Sequence, residues 1–172
     1  MTKVFFDENS ERLLLGSMLM DNKCIGNVIS KLTSEMFYNP KHRMIYDNII
    51  RLYKSGVNAD ICSLSTALIN AGLIEKAGGA AYIADLTTEV AGCSNAEVYM
   101  NNVIHHAQSR ALKVTLSESL GKLGSSDNAQ LIMDIEDKMF RISAATTETK
   151  IWTPEELATE YNEYLKYNEE TW

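Results

Sequence analysis

This chain of 172 residues lacks the features that identify a secreted or membrane-spanning protein. It has no apolar run near the ~20 residues that a membrane-spanning helix needs. Its N-terminus turns acidic at Asp7, too early for a signal peptide. Because 45 % of its residues are hydrophobic, it can still bury a core. We therefore expect a folded cytoplasmic protein of one domain, or of one domain with an appendage, without membrane contact.

Cysteine is also scarce, since Cys24, Cys62 and Cys93 are far apart and odd in number. No pair of them has the spacing of zinc ligands, and three cysteines do not suggest a disulfide framework. The simplest interpretation is three reduced and mostly buried thiols. We expect no metal site.

A basic region is missing as well. Of the net charge of −7, residues 1–142 contribute −2, from sixteen acids and fourteen bases, and residues 143–172 contribute −5, from seven acids and two bases. Proteins that bind DNA or RNA directly normally carry a basic footprint, because neutralising phosphates dominates their affinity. We expect no direct nucleic-acid binding.

The phosphate-binding loop pattern Gly-x-x-x-x-Gly-Lys-Ser/Thr is absent, and the nearest string, at residues 121–123, lacks the upstream glycine and the hydroxyl. ATP hydrolysis therefore has no visible machinery. His105 and His106 are adjacent, so on a helix they point in different directions and cannot share one metal. His42 is expected to hydrogen-bond within a packed core. We predict no catalytic, cofactor-binding or metal-ligating residue.

Two carboxylates leave one enzymatic alternative open. Asp134 and Asp137 are three residues apart and could sit side by side on a helix, as in an unrecognised acidic active site. Lys138 and Arg141 lie nearby, so a solvated helix face is the favoured interpretation.

Helical periodicity dominates the rest of the sequence. The apolar pattern predicts a first helix with Asn9 or Ser10 as its cap, a second helix over residues 40–54, and a third capped by Asp60 or Ser63. Gly16 within the first helix suggests a close helix crossing. Residues 95–123 and 128–142, joined by four small polar residues, predict an antiparallel hairpin. No alternating strand pattern occurs and there are only two prolines, so the predicted fold is all-α.

The last part of the chain carries the clearest helix-start signal. Thr153 can cap a helix, Pro154 fits its first position, and Glu156 completes a capping box. The apolar stripe of this helix consists of Leu157, Tyr161, Tyr164 and Leu165. An isolated amphipathic helix must fold back or dock on another chain to bury such a stripe.

These patterns divide the chain into four parts. Residues 1–94 form a globular helical head of about four to six helices, and residues 95–142 form a long hairpin. Residues 143–152 form a linker, and residues 153–172 form a C-terminal linker helix.

Three short motifs occur in a fixed order. They are Glu-Arg-Leu-Leu-Leu-Gly-Ser-Met-Leu-Met-Asp at residues 11–21, Phe-Tyr-x-x-x-His-Arg at residues 37–43, and Gly-Gly-x-x-Tyr-Ile at residues 78–83. From about Asp7 to about Ile142 the chain resembles the N-terminal domain of bacterial and phage replicative DNA helicases of the DnaB type. The resemblance implies hairpins that pair between subunits, dimers that assemble in threes into a collar, and contacts with primase and a helicase loader. It also implies a motor domain that would bind ATP and Mg²⁺, for which this sequence holds no motif.

The resemblance also assigns roles to residues. Those expected in hairpin packing and self-association are Val103, Ala107, Arg110, Ala111, Val114, Ile132, Ile135 and Met139. Those expected to contact primase are Lys113, Glu118 and Lys122. The stripe Leu157, Tyr161, Tyr164 and Leu165 is expected to dock on a neighbouring subunit's motor domain.

The leading hypothesis is a non-catalytic oligomerisation and partner-binding domain that acts in DNA replication and primosome assembly. The alternative is a free-standing, collar-like regulator that binds the helicase or primase. Whether the reading frame continues into a motor domain distinguishes the two.

Overall fold

The computed structural model describes residues 5–125 and 127–144. These residues form seven α helices and two short 3-10 turns without any strand, which confirms the predicted all-α fold. The helices are α1 (Glu8–Met20), α2 (Ile25–Lys31), α3 (Pro40–Lys54), α4 (Ile61–Asn70), α5 (Gly79–Asp85), α6 (Ala96–Lys122) and α7 (Asn128–Ala144), and the 3-10 turns span Asn22–Cys24 and Ser34–Met36. None of the helices in these ranges has the length and apolarity to cross a membrane. The predicted C-terminal helix lies outside the described residues.

The head is built from α1 to α5 and closed by the start of α6. Its core is a single cluster of buried side chains in which α1 supplies Leu14, Leu15 and Met18. Met100 and Val103 of α6 belong to the same cluster. Because these two residues are buried among head residues, α6 is shared between the head and the hairpin.

Local signals at the helix starts explain where the helices begin. The cap of α1 is Asp7, whose carboxylate accepts hydrogen bonds from the backbone N–H groups of Asn9 (3.1 Å) and Ser10 (3.2 Å). The prediction of Asn9 or Ser10 as the cap was therefore wrong, because Ser10 instead donates its hydroxyl to Asp7. Asp60 and Ser63 both take part in a capping box at the start of α4.

Gly16 allows α1 to approach the end of α5 closely. A Cβ atom at this position would lie 2.0 Å from the carbonyl oxygen of Leu86 and 2.6 Å from Cγ2 of Val90. The predicted close contact is present, and it joins α1 to the segment that follows α5. Only a residue without a side chain fits this crossing.

The cysteine prediction was wrong. The structure pairs Cys24 and Cys93 as a disulfide with 5.9 Å between their Cα atoms, and Cys62 is free and exposed. The pair is separated by 69 residues in sequence, but the fold brings the turn after α1 next to the loop before α6. Spacing along the chain carries no signal for a contact of this kind.

Candidate interaction surface on the helical hairpin

The hairpin consists of the outer part of α6 packed against α7. With 27 residues, α6 is about 40 Å long at 1.5 Å per residue. Four of its five buried residues, Ala96, Met100, Val103 and Ile104, lie in its first third, next to the head. The remaining two thirds extend beyond the head core and contact α7.

The seam between α6 and α7 has a narrow core and polar links. Thr115 of α6 and Leu131 of α7 are each only 5 % exposed. Lys138 Nζ donates to a Glu118 carboxylate oxygen at 2.6 Å, and this hydrogen bond, with the charge of the lysine, holds the pKa of Glu118 below its usual range. Surface ion pairs such as this one add little stability. Few buried side chains between α6 and α7 therefore stabilise the hairpin.

A groove of about 620 Å³ runs along one side of this seam. Ala107, Ala111 and Val114 of α6 form its floor, which is mostly apolar, and the turn of the head at Met36 closes one end. Each residue of an α helix is rotated by about 100° from the one before it. On this basis the three positions lie 40–100° around α6 from Thr115, all on the same side. The small alanine side chains leave space between the head and the hairpin, and that space is open to solvent.

The opposite side of the seam carries exposed apolar side chains, and it is here named the outer flank. Leu112, Leu116 and Leu123 lie about 60–100° from Thr115 in the direction away from the groove. They are 36 %, 53 % and 60 % exposed. On α7, Ile132 and Met139 lie about 80–100° around the helix from Leu131 on the same side, so they also belong to the outer flank. Exposed apolar surface of this kind is typical of sites of protein association.

Arg110 fastens the hairpin to the head. Its guanidinium donates to the carbonyl oxygens of Phe5 (2.8 Å) and Met36 (2.5 Å), and it lies 5.6 Å from the ring centroid of Tyr38. Burial lowers the pKa of Arg110, but a guanidinium remains charged at neutral pH. Through these contacts Arg110 connects α6 with two segments of the head that are distant in sequence.

A buried polar cluster holds the inside of the head together. His42 Nδ1 lies 2.5 Å from a Glu11 carboxylate oxygen, and His42 Nε2 lies 2.6 Å from the Tyr82 hydroxyl. With the carboxylate as acceptor, Nδ1 donates and Nε2 accepts from Tyr82. Glu11 also accepts from the backbone N–H of Tyr38 at 2.5 Å, next to the start of α3.

This arrangement of Glu, His and Tyr resembles a catalytic relay in composition, but its burial excludes that role. The side chains of His42 and Glu11 are 0 % and 3 % exposed, so no substrate can reach the imidazole. Burial also raises the pKa of the Tyr82 hydroxyl. The cluster joins α1, α3 and α5, which confirms that His42 hydrogen-bonds within the packed head.

The residues predicted for self-association fall into three environments. Val103 is buried in the core of the head. The groove is lined by Ala107, Arg110, Ala111 and Val114. On α7, Ile132 and Met139 lie on the outer flank, and Ile135 is half-buried closer to the seam. Their assignment to self-association stays a prediction.

The three residues predicted to contact a partner do not form one patch. Glu118 pairs with Lys138, and Lys122 Nζ lies 3.8 Å from a carboxylate oxygen of Asp134, so both residues link α6 to α7. Lys113 precedes Glu118 by five residues, which places it about 140° around the helix. The structure therefore separates Lys113 from the other two. The stripe predicted for linker-helix docking, Leu157, Tyr161, Tyr164 and Leu165, lies outside the described residues.

Sequence reasoning missed the three leucines of the outer flank. Leu112, Leu116 and Leu123 do not share the periodicity of Val103, Ala107 and Val114, which follow the face of α6 that continues from the head. The available signal was that apolar residues occur all around α6 beyond residue 104. A helix that is apolar all round needs contacts on more than one side.

The pair Asp134 and Asp137 shows no sign of an active site. Asp134 accepts from Gln130 at 2.9 Å and faces Lys122, whereas Asp137 pairs with Arg141 at 3.0 Å. Each carboxylate thus has its own partner on a solvated face. Within the described ranges there is no group of three or more His, Cys, Asp or Glu residues that could hold a metal ion.

Within the described residues, the chain is a helical head fastened to a helical hairpin that carries two exposed apolar surfaces. The profile of the DnaB-like helicase N-terminal domain matches residues 5–105, and the chain belongs to this family.

Comparisons with individual proteins agree with this assignment. The chain is 30 % identical over 134 residues to the replicative DNA helicase DnaB of Rhodothermus marinus, covering 77 % of this chain and 14 % of that protein. The crystal structure of the N-terminal domain of DnaB helicase from Mycobacterium tuberculosis matches with a TM-score of 0.74 and 27 % identity, covering 81 % of this chain and 99 % of that one.

A DnaB-like replicative helicase whose structure was determined together with its interactions with primase matches with a TM-score of 0.66 and 22 % identity. That match covers 94 % of this chain and 37 % of the other, and at this identity it shows the fold alone. The chain spans well under half the length of the full helicases that it matches.

Proposed function

We propose that this chain is the assembly and partner-binding domain of a replicative helicase, and that it acts through its hairpin without catalysis of its own. The observation that carries the proposal is the outer flank, where Leu112 and Leu116 of α6 and its C-cap Leu123 remain 36–60 % exposed. Two hairpins that face each other across a two-fold axis would bury this surface in both copies. The domain would then fix the spacing of subunits in a ring.

Contacts with primase and with a helicase loader are the second part of this proposal. The family supports it, as does the neighbouring structure of a helicase with primase. ATP and Mg²⁺ would be bound by a motor domain, so we expect no ATP turnover by these 172 residues. We assign the function to the cytoplasm.

The test of self-association is light scattering over a concentration series, with a variant of the outer flank. Completing the burial of Leu116 contributes about 1 kcal/mol in each copy, so a symmetric pair loses about 2 kcal/mol when it is replaced. This loss weakens association by about thirtyfold, and the desolvation of an introduced carboxylate adds to it.

We expect the wild-type chain to be a dimer or larger at micromolar concentration and Leu116→Asp to be a monomer. Ser117→Asp is the matched control, because it introduces the same charge at the next exposed position, outside the outer flank. A monomeric wild-type chain throughout the series, or equal effects of the two variants, would contradict the proposed role.

A further inference from the structure

A pair of cysteines lies where two connecting segments of the head meet. Cys24 ends the 3-10 turn after α1, and Cys93 lies two residues before Asn95, the N-cap residue of α6. In the cytoplasm, to which the proposed function assigns this chain, thiols are kept reduced, and a disulfide there is usually transient and redox-sensing. We propose that Cys24 and Cys93 form a reversible thiol–disulfide switch, which a low-molecular-weight disulfide such as oxidised glutathione closes.

The geometry around the two sulfur atoms suits both redox states. The Cα atoms are 5.9 Å apart, within the usual range for a disulfide, so oxidation requires no movement of the backbone. The Asp21 carbonyl oxygen lies 3.2 Å from Cys24 Sγ and 2.8 Å from Cys93 Sγ. A second carbonyl oxygen, that of Ser17, lies 3.7 Å from Cys93 Sγ. Because both thiols have an acceptor in the reduced state, the pair can change state within the folded head.

The reaction is thiol–disulfide exchange in two steps. The thiolate of one cysteine attacks a sulfur of oxidised glutathione, which forms a mixed disulfide and releases one glutathione thiolate. The thiolate of the other cysteine then attacks the protein sulfur of the mixed disulfide, which forms the Cys24–Cys93 bond and releases the second glutathione thiolate. The protein thus loses two electrons and two protons, and the small disulfide gains them as two thiols. Both cysteines are half-buried next to exposed residues, Lys23 and Ser94, so a small disulfide can reach them.

The switch controls the connection from α5 to α6. Leu86 is buried at its beginning, but no residue from 87 to 95 is buried. Segments with few buried contacts open locally at low free energy. The disulfide ties this connection covalently to the turn after α1, whereas in the reduced state the same attachment consists of weak thiol hydrogen bonds. Reduction therefore allows the connection and the first turn of α6 to open, while Met100 keeps the rest of the helix in the core.

Titration with glutathione tests the chemistry of the pair. The full 172-residue chain is used with Cys62→Ser, which removes the exposed third thiol. It is equilibrated in buffers of increasing oxidised-to-reduced glutathione ratio, and free thiols are then alkylated and counted by mass spectrometry. We expect two free thiols in excess reduced glutathione, none in excess oxidised glutathione, and the same curve in both directions. A pair that stays closed in reduced glutathione, or that stays open or carries glutathione in the oxidised buffer, would overturn the proposal.

Hydrogen exchange read by NMR tests the structural consequence. The N–H of Ala96 donates to the carbonyl oxygen of Cys93 (3.0 Å) and the N–H of Tyr99 to that of Asn95 (3.1 Å), so both amides report on the start of α6. We expect these two amides to exchange about tenfold faster in the reduced than in the oxidised chain. The amide of Leu131 in the first turn of α7, which is remote from the cysteines in the hairpin, should exchange equally in both states and serves as the internal control.

Variants separate the switch from other effects of the redox buffer. Cys24→Ser and Cys93→Ser should each exchange at the reduced rate in both buffers, whereas Cys62→Ser should respond like the wild type. Equal rates in the two states of the wild-type chain, or a response that persists in both Cys24→Ser and Cys93→Ser, would contradict the proposed switch. Self-association is a separate readout, because the pair lies in the head and the outer flank on the hairpin. A monomeric chain with an intact redox response would therefore refute the proposed function and support the switch.

Discussion

Replacing Gly16 with alanine tests the packing of α1 against the end of α5. The new Cβ would lie 2.0 Å from the Leu86 carbonyl oxygen, and this backbone atom cannot rotate away as a side chain could. Alanine favours a helix over glycine by about 1 kcal/mol, whereas overpacking costs typically 1–3 kcal/mol, and about 3 kcal/mol is reasonable for so short a contact. We therefore expect Gly16→Ala to lower the free energy of unfolding by about 2 kcal/mol. Urea denaturation followed by circular dichroism measures it.

Gly121 in α6 offers the matched control, because a Cβ there would meet no atom within 4 Å. Gly121→Ala should leave stability unchanged or raise it by up to about 1 kcal/mol. If both variants unfold at the same urea concentration, the close approach at Gly16 does not exist in solution and the packing argument is refuted.

Two further predictions concern the disulfide and a helix cap. In oxidised protein, Cys24→Ser opens the loop of 69 residues that the disulfide to Cys93 closes. We expect it to lower the free energy of unfolding by about 4 kcal/mol in the chain-entropy description. A reductant should bring the wild-type urea midpoint to that of the variant, and a wild-type midpoint that does not change with reductant would disprove the pairing. The hydrogen bond from Ser10 is the main cause that lowers the pKa of Asp7 below 3.8, so its contribution to stability is present above about pH 4 and is lost as the pH falls through the lower pKa of the folded state. Asp7→Asn should therefore lose stability less steeply than wild type below about pH 4, and equal acid dependence in urea midpoints would count against the cap.

Local signals made part of the fold predictable. The helix predicted over residues 40–54 was found at those bounds, because Asn39 caps it, Pro40 occupies its first turn and Gly56 follows its end with a φ of 73°. The hairpin was predictable for the same reason, since four small polar residues interrupt two long periodic stretches. In both cases the determining residues are close together in sequence.

Contacts between distant residues could not be predicted in this way. The carbonyl oxygen of Phe5 accepts a hydrogen bond from Arg110, which is 105 residues away in sequence, and no apolar periodicity predicts this contact. The disulfide was missed for the same reason. The outer flank was missed because Leu112 and Leu116 follow a face of α6 that the head never contacts. Periodicity identified the face of α6 that continues from the buried Val103 into the groove, and the outer flank lies on the other side of the seam.

The continuity of α6 has a consequence for how this protein responds to a partner. The helix runs without proline from the core of the head at Met100 to the tip of the hairpin at Lys122, so the commonest cause of a kink is missing between them. A partner that binds the tip of the hairpin and moves it would therefore tilt α6 as a whole. Such a tilt would change the packing around Met100 in the core of the head and the hydrogen bonds from Arg110 to Phe5 and Met36.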